Sequence, residues 1–355
     1  MTEAQLAEKY LMKGNEALAE AAIRAGLEGY FGYPITPQSE VLEYFSRELP
    51  KRGIAYVQAE SEVAAINMVY GGAACGKRVM TTTSSPGFSL MQEGVSYIAC
   101  AELPCVLVNI QRGGPGLGTI QSSQGDYFQA VKGGGHGDYR LITLTPNSVQ
   151  EMADMTQHAF DLAEKYKNPV LILADGAMGQ MMEPVEFKER VVLDKDISWA
   201  TTGKPANRDA NVITSLYIQP EEMEAKNFQL QAKYKLIEEN ETDYELYNME
   251  DAEIAAVAFG LSSRIVKKAV DLAREQGVKL GLIRPKMVWP FPKDIIRKYI
   301  GQVKYFVSIE MNAGQMIEDI KLTVNGEARV EFFGKFGGIV PAPQEIVEFV
   351  KSKSL

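Results

Sequence analysis

Residues 55–83 read AYVQAESEVAAINMVYGGAACGKRVMTTT, and the fold follows from how this stretch divides. Ala55–Gln58 is a short β-prone run. Glu62–Ala74 continues at helical spacing with small and apolar residues, and Arg78–Thr83 is β-prone again. Two strands joined by one helix form a βαβ unit, whose strands lie parallel because only a crossover connection returns the chain in the same direction. Upstream, a helix over Asn15–Leu27 precedes a strand near Tyr30–Tyr33, and another helix follows Pro37. Downstream, CVLVNIQ (Cys105–Gln111) reads as a buried strand ending on the glycine-rich GGPGLG. A strand over Leu141–Thr145, a helix over Ser148–Tyr166 and a strand over Pro169–Ala174 complete a parallel α/β unit, residues 1–190.

A second alternation starts at Glu253. Its strands are EIAAVAFG, VKLGLIRP, KYFVSIEMN and ARVEFFG, and helices such as SSRIVKKAVDLAREQG and QEIVEFVKSK separate or follow them. This predicts a doubly wound α/β domain over residues 249–355. Between the two, residues 191–248 are polar, carry clusters such as IEENETDYE, and show little period of either kind; they read as a linker that partly wraps the other domains.

The bulk composition narrows the function. Of 355 residues, 46% are apolar and 23% charged, the balance of a soluble globular chain. A net charge of −9 without a basic block argues against nucleic acid. No apolar run has the length of a signal peptide core or a membrane span, so a cytoplasmic protein is expected, with no membrane partner. Cys75, Cys100 and Cys105 form no C-x-x-C unit, and only His136 and His158 are available. No metal or iron–sulfur site is expected on this chain.

Three constellations carry chemistry. In GYPITPQSE (residues 32–40), Thr36 before Pro37 reads as a helix N-cap with proline at the first helical position. The same turn, between a strand and a helix, is also a ready anion pocket with Thr36 at its mouth. In residues 60–91, Glu62 opens a helix on which Ala65, Met68 and Gly71 follow at three-residue intervals. An acid there favours the helix dipole, while the small residues Ala64, Ala65, Gly71 and Gly72 permit close packing against another group. SSPGFS, after the next strand, is a second close-approach turn. In residues 108–129, Arg112 stands at the end of a strand, where open α/β sheets place ligand-binding groups, though a surface ion pair accounts for it equally. GGPGLG contains a proline and opens no helix, so it reads as a mobile lid and not a dinucleotide fingerprint. AFGLSSR in the second domain lacks the glycines of such a fingerprint too.

The stretches KGNEALAEAAIRAG, GYPITPQSE, QAESEVAAINMVYGGA, TTTSSPGFSLMQEG, QRGGPGLGTIQSSQGDYFQAVKGGGHGDY, TPNSVQEM and NPVLILADG resemble the pyrimidine-domain, alpha-type subunit of the 2-oxoacid:ferredoxin oxidoreductases. VKLGLIRPKMVWPFP and KYFVSIEMNAGQ look like the transketolase C-terminal-type domain of the same subunit. The resemblance implies a thiamine-diphosphate-binding, pyrimidine-type doubly wound domain plus a transketolase C-terminal-like α/β domain. It assigns Glu62, in the pattern Glu-x-x-Ala-x-x-Met-x-x-Gly, to N1′ of the cofactor's aminopyrimidine. There a partly desolvated carboxylate favours the tautomer whose 4′-nitrogen removes the C2 proton. Thr36 and Arg112 correspond to contacts with the 2-oxoacid carboxylate, which an arginine fork can meet with two hydrogen bonds.

The Gly-Asp-Gly…Asn-Asn stretch that binds Mg²⁺ and the diphosphate is missing; QGDY and HGDY are not it. The resemblance therefore implies a beta-type partner subunit carrying the Mg²⁺–diphosphate half and an iron–sulfur cluster, with ferredoxin-like and gamma-type subunits, ferredoxin and coenzyme A completing the reaction. Within the family, the Pro115–Gly116–Leu117 lid looks most like subunits acting on 3-methyl-2-oxobutanoate; a 2-oxoglutarate enzyme is the alternative, and a non-catalytic scaffold subunit the alternative of a different class.

Overall fold

A computed structural model describes residues 8–187 and 195–353. In chain order it contains β1 (Lys9–Lys13), α1 (Gly14–Arg24), β2 (Gly29–Gly32), α2 (Ser39–Glu48), β3 (Ala55–Gln58), α3 (Glu62–Ala74), β4 (Val79–Thr83), α4 (Pro86–Cys100) and β5 (Cys105–Gln111). Then come α5 (Tyr127–Val131), β6 (Ile142–Leu144), α6 (Val149–Tyr166), β7 (Pro169–Asp175), α7 (Gly176–Gln180) and β8 (Met182–Glu186). The remainder holds α8 (Pro220–Asn240), β9 (Tyr244–Tyr247), β10 (Ile254–Val257), α9 (Gly260–Glu275), β11 (Leu280–Pro285), β12 (Met287–Trp289), α10 (Lys293–Lys298), β13 (Tyr305–Glu310), α11 (Met316–Val324), β14 (Val330–Gly334) and α12 (Pro343–Lys353).

The larger sheet has seven strands in the order β12-β6-β7-β5-β4-β2-β3. All its pairings are parallel except β12 against β6. Central strands β4, β5 and β7 are buried on both faces, which explains their continuous apolar or threonine-rich runs. The smaller sheet runs β14-β13-β10-β11-β9, with β9 antiparallel at one edge. One face of it, covered by α9 and α12, has its own core, containing Val266, Val270, Ile346 and Val350. The opposite face contributes Val257 and Phe306, and α11 contributes Met316 and Ile320, to the same continuous apolar cluster that fills the larger unit. No described helix is long and apolar enough to cross a membrane.

Three departures from the sequence reading have physical causes. The 191–248 stretch, expected to lack regular structure, contains the 21-residue helix α8. Only Leu230, Tyr234 and Ile237 of it are buried, a stripe too short to give a strong period, and lysines anchor it: Lys226 and Lys233 both pair with Glu102. The second α/β domain does not keep its strands to itself, since β12, from the MVW of VKLGLIRPKMVWPFP, crosses to the edge of the larger sheet. Finally, Thr36 does not cap α2. The helix begins two residues after Pro37, and Ile35–Gln38 forms a turn in which Gln38 N donates to Ile35 O (3.0 Å). The expected domain boundary at residue 190 lies outside the described residues.

Candidate active site

Parallel sheets gather the loops that follow their strands along one edge. Neighbouring β5, β4, β2 and β3 therefore bring Arg112, the Ser84–Gly87 turn, Thr36 and Glu62 to the same edge, in that order.

Glu62 is the first residue of α3, whose entry is fixed by Ser61 accepting a hydrogen bond from Ala64 N (3.1 Å). The side chain is buried, 5% exposed, and its carboxylate meets no hydrogen-bond donor among the described residues. A carboxylate without a protein donor keeps its hydrogen-bonding capacity for another group. Facing it is Gly87, in the first turn of α4. A Cβ at residue 87 would lie 2.4 Å from Glu62 Oε1 and 2.2 Å from Thr83 Oγ1, so only glycine lets this turn pack against the two side chains. The hydroxyls of Thr83 and Ser84 are buried there without hydrogen-bond partners. The unpartnered carboxylate and the orphaned hydroxyls suit the donor edge of an aminopyrimidine.

Arg112 is buried at the foot of the lid. Its Nη1 donates to Thr36 O (2.9 Å) and its Nη2 to Leu117 O (3.1 Å), while Nε is buried without a partner. The structure thus joins Thr36 and Arg112 directly, though through the Thr36 carbonyl and not its hydroxyl. The guanidinium holds the lid to the β2–α2 turn, and its Nε–H is left for another acceptor. Glu62 stands across the Ser84–Gly87 turn from this pair, and the turn is bound to Arg112: Arg112 N donates to Ser85 Oγ (3.0 Å).

Beside Arg112 lies a cleft of about 780 Å³ between the two units, lined by Ser85, Pro86, Arg112, Asp126, Asn312 and Phe336 among others; Thr36, Glu62 and Gly87 are outside its lining. A separate pocket of about 450 Å³ near Arg78 and Cys105 lies at the other end of the strands and holds none of these groups. His136 is exposed and sits against Ser96 and Tyr97 on α4, outside the cleft lining. The three cysteines are free thiols, and no cluster of three metal-ligating side chains occurs among the described residues.

Sequence reasoning passed over Ser85, Asn109 and Asp126. Asn109 is fully buried in the middle of β5; its Oδ1 accepts from Ser85 N (2.8 Å) and its Nδ2 donates to Asp126 Oδ2 (2.9 Å). A lone asparagine inside the apolar run CVLVNIQ was the available signal, because a buried amide demands partners.

Residues 20–256 match the family model described as pyruvate flavodoxin/ferredoxin oxidoreductase, thiamine diphosphate-binding, and residues 252–346 match pyruvate:ferredoxin oxidoreductase core domain II. The chain is 53% identical to ketoisovalerate oxidoreductase subunit VorB of Methanothermobacter marburgensis, over 96% of this chain and 97% of that one. It is 37% identical to 2-oxoglutarate synthase subunit KorA of Methanothermobacter thermautotrophicus, over 97% and 99%. Among solved structures, 2-oxoglutarate:ferredoxin oxidoreductase from Magnetococcus marinus superposes with a TM-score of 0.87 at 28% identity, over 98% of this chain and 66% of that longer one. A split-gene transketolase, 12% identical with a TM-score of 0.61 over 96% of this chain and 97% of that one, shares the fold. With both family models matched end to end and such relatives along nearly its whole length, this chain belongs to the 2-oxoacid:ferredoxin oxidoreductase family, as a subunit of the thiamine-diphosphate-binding type.

Proposed function

We propose that this chain is the pyrimidine-side subunit of a cytoplasmic oxidoreductase that converts 3-methyl-2-oxobutanoate, coenzyme A and oxidised ferredoxin to the branched acyl-CoA, CO₂ and reduced ferredoxin. The observation that carries the reading is Glu62, 5% exposed at the start of α3, with the orphaned hydroxyls of Thr83 and Ser84 beside it. When bound, thiamine diphosphate supplies the carbon that attacks the 2-oxo group and retains the electrons left behind by CO₂. Glu62 holds the proton at the ring nitrogen it faces and so sets which ring form is present. Arg112 receives the substrate carboxylate with its free Nε–H, and the Thr36 carbonyl fixes the guanidinium plane. The lid excludes water.

The lid decides the substrate. From Gly113 to Gln121 it contains no charged residue, so it offers no counter-charge to a second carboxylate, and burying one unpaired is strongly unfavourable. Identity points the same way, at 53% to the ketoisovalerate subunit against 37% to the 2-oxoglutarate one. Mg²⁺, the diphosphate and the iron–sulfur clusters fall to a beta-type subunit and ferredoxin-like and gamma-type partners. This chain has no Gly-Asp-Gly…Asn-Asn stretch and only three scattered cysteines. Profiling of the assembled complex is expected to favour short branched 2-oxoacids over 2-oxoglutarate; a preference for 2-oxoglutarate overturns the assignment.

A further inference from the structure

The loop Ser122–Asp126 is held from both units at once. Gln124 donates through N to Met311 O (3.0 Å) and through Nε2 to Phe259 O (2.8 Å), and its Oε1 accepts from Ser262 Oγ (2.9 Å) and Met311 N (3.0 Å). Gln315 Nε2 donates to Gly125 O (2.7 Å) and Asn312 Nδ2 to Gln124 O (2.8 Å). This loop ends in Asp126, whose Oδ2 accepts from Ser85 Oγ (2.6 Å) and Asn109 Nδ2 (2.9 Å). Ser85 in turn accepts from Arg112 N, and it has φ 21° and ψ −80°, a conformation that a non-glycine residue keeps only when its surroundings impose it. The imposing contacts are these: Asn109 holds its N–H and Asp126 its hydroxyl.

We propose that Asp126 is a positioning residue for the 2-oxoacid site, acting through Ser85 to fix the main chain of Arg112 and the turn that carries Gly87 against Glu62. The carboxylate has a job a neutral acceptor does poorly, since one oxygen takes two hydrogen bonds at once. Burial leaves the Asp126 pKa above the usual carboxylate value, with the Ser85 and Asn109 hydrogen bonds offsetting part of the rise. A shift of the reacting groups of about 1 Å costs about a hundredfold in rate, so loss of the link is felt in kinetics before it is felt in folding.

This inference rests on the carboxylate role given to Arg112. The experiment is kinetics of the assembled complex with Asp126→Ala, Asp126→Asn, Ser85→Ala and the Ser85→Ala/Asp126→Ala pair. Asp126→Ala should lower kcat/KM for the 2-oxoacid about 10- to 100-fold, and Asp126→Asn should recover part of that. KM for coenzyme A should stay within about twofold, and the double variant should be no worse than the poorer single one. If the single losses multiply in the double variant, Asp126 does not act through Ser85. If Asp126→Ala does not assemble, Ser85→Ala with normal 2-oxoacid kinetics overturns the proposal equally. Normal kinetics in Asp126→Ala beside an impaired Arg112→Lys sinks this inference alone, whereas a normal Arg112→Lys sinks the site reading beneath it.

Discussion

At the scale of single residues, the site consists of groups whose hydrogen-bonding capacity is left open. Glu62 is the clearest case. Glu62→Gln keeps the shape of the side chain and can still meet a ring nitrogen, but an amide cannot exchange the proton. The complex should therefore assemble normally while turnover falls by about 10²- to 10⁴-fold, and exchange of the C2 proton of bound thiamine diphosphate should slow in step; exchange at the wild-type rate would remove Glu62 from cofactor activation. Arg112 is occupied on two sides and free on the third. Lysine keeps the charge but cannot hold Thr36 O, Leu117 O and a carboxylate together, so Arg112→Lys should cost about 1–3 kcal/mol in kcat/KM, mostly as a higher KM for the 2-oxoacid. Steady-state kinetics with coenzyme A varied separately checks that its KM does not move.

At the scale of elements, the strands and helices of the larger sheet were legible because each carries its own signal. Ala55–Gln58, Glu62–Ala74 and Cys105–Gln111 occur with the bounds that their spacing predicts. The unseen pieces are those whose partners are distant in sequence. α4 begins inside SSPG, which reads as a turn until Pro86 is recognised as a helix start; β9 and β12 are runs of a few residues with meaning only beside β11 and β6. The sequence singles out Glu62, Thr36 and Arg112, which the fold brings to one sheet edge, but not the Thr36 carbonyl as the partner of Arg112, because a main-chain group leaves no mark on the sequence. Element ends also carry a pH dependence. Asp175 ends β7 and caps α7, accepting from Ala177 N (3.0 Å) and Met178 N (3.2 Å), yet full burial raises its pKa from 3.8 to about 6. The folded chain thus binds this proton more tightly than the unfolded one. Its contribution to stability is greatest below about pH 4 and declines as pH rises to about 6, by about 3 kcal/mol in all. Urea unfolding of Asp175→Asn beside the wild type should show the variant gaining on it by up to that amount between pH 4 and 7, over a constant offset for the weakened cap. A difference that does not change with pH would contradict this.

At the scale of the whole molecule, the proposed site is half of a cofactor site. In that reading Glu62 meets the ring end of thiamine diphosphate and another subunit meets the charged end. The purified chain should therefore be colourless and show no tight binding of thiamine diphosphate with Mg²⁺ by calorimetry, and affinity should appear when the complementary subunit is added. Stoichiometric binding to the chain alone, or a brown protein, would mean that it carries the other half. The second unit supports this site from behind: Phe259 O, Gln315 and Asn312 bind the loop that ends at Asp126.

The strand Met287–Trp289 gives that support a direction in time. It forms the outer edge of the larger sheet beside Ile142–Leu144, and it is encoded more than a hundred codons after the last of the other strands it joins there. During synthesis the ribosome must therefore release most of the second unit before the first can close its sheet. Until then the nascent chain exposes an unpaired strand edge, which invites pairing with a neighbour. Ordered completion of the two halves is thus built into the path of the polypeptide, and a gene cut between them would yield a first product with an open edge.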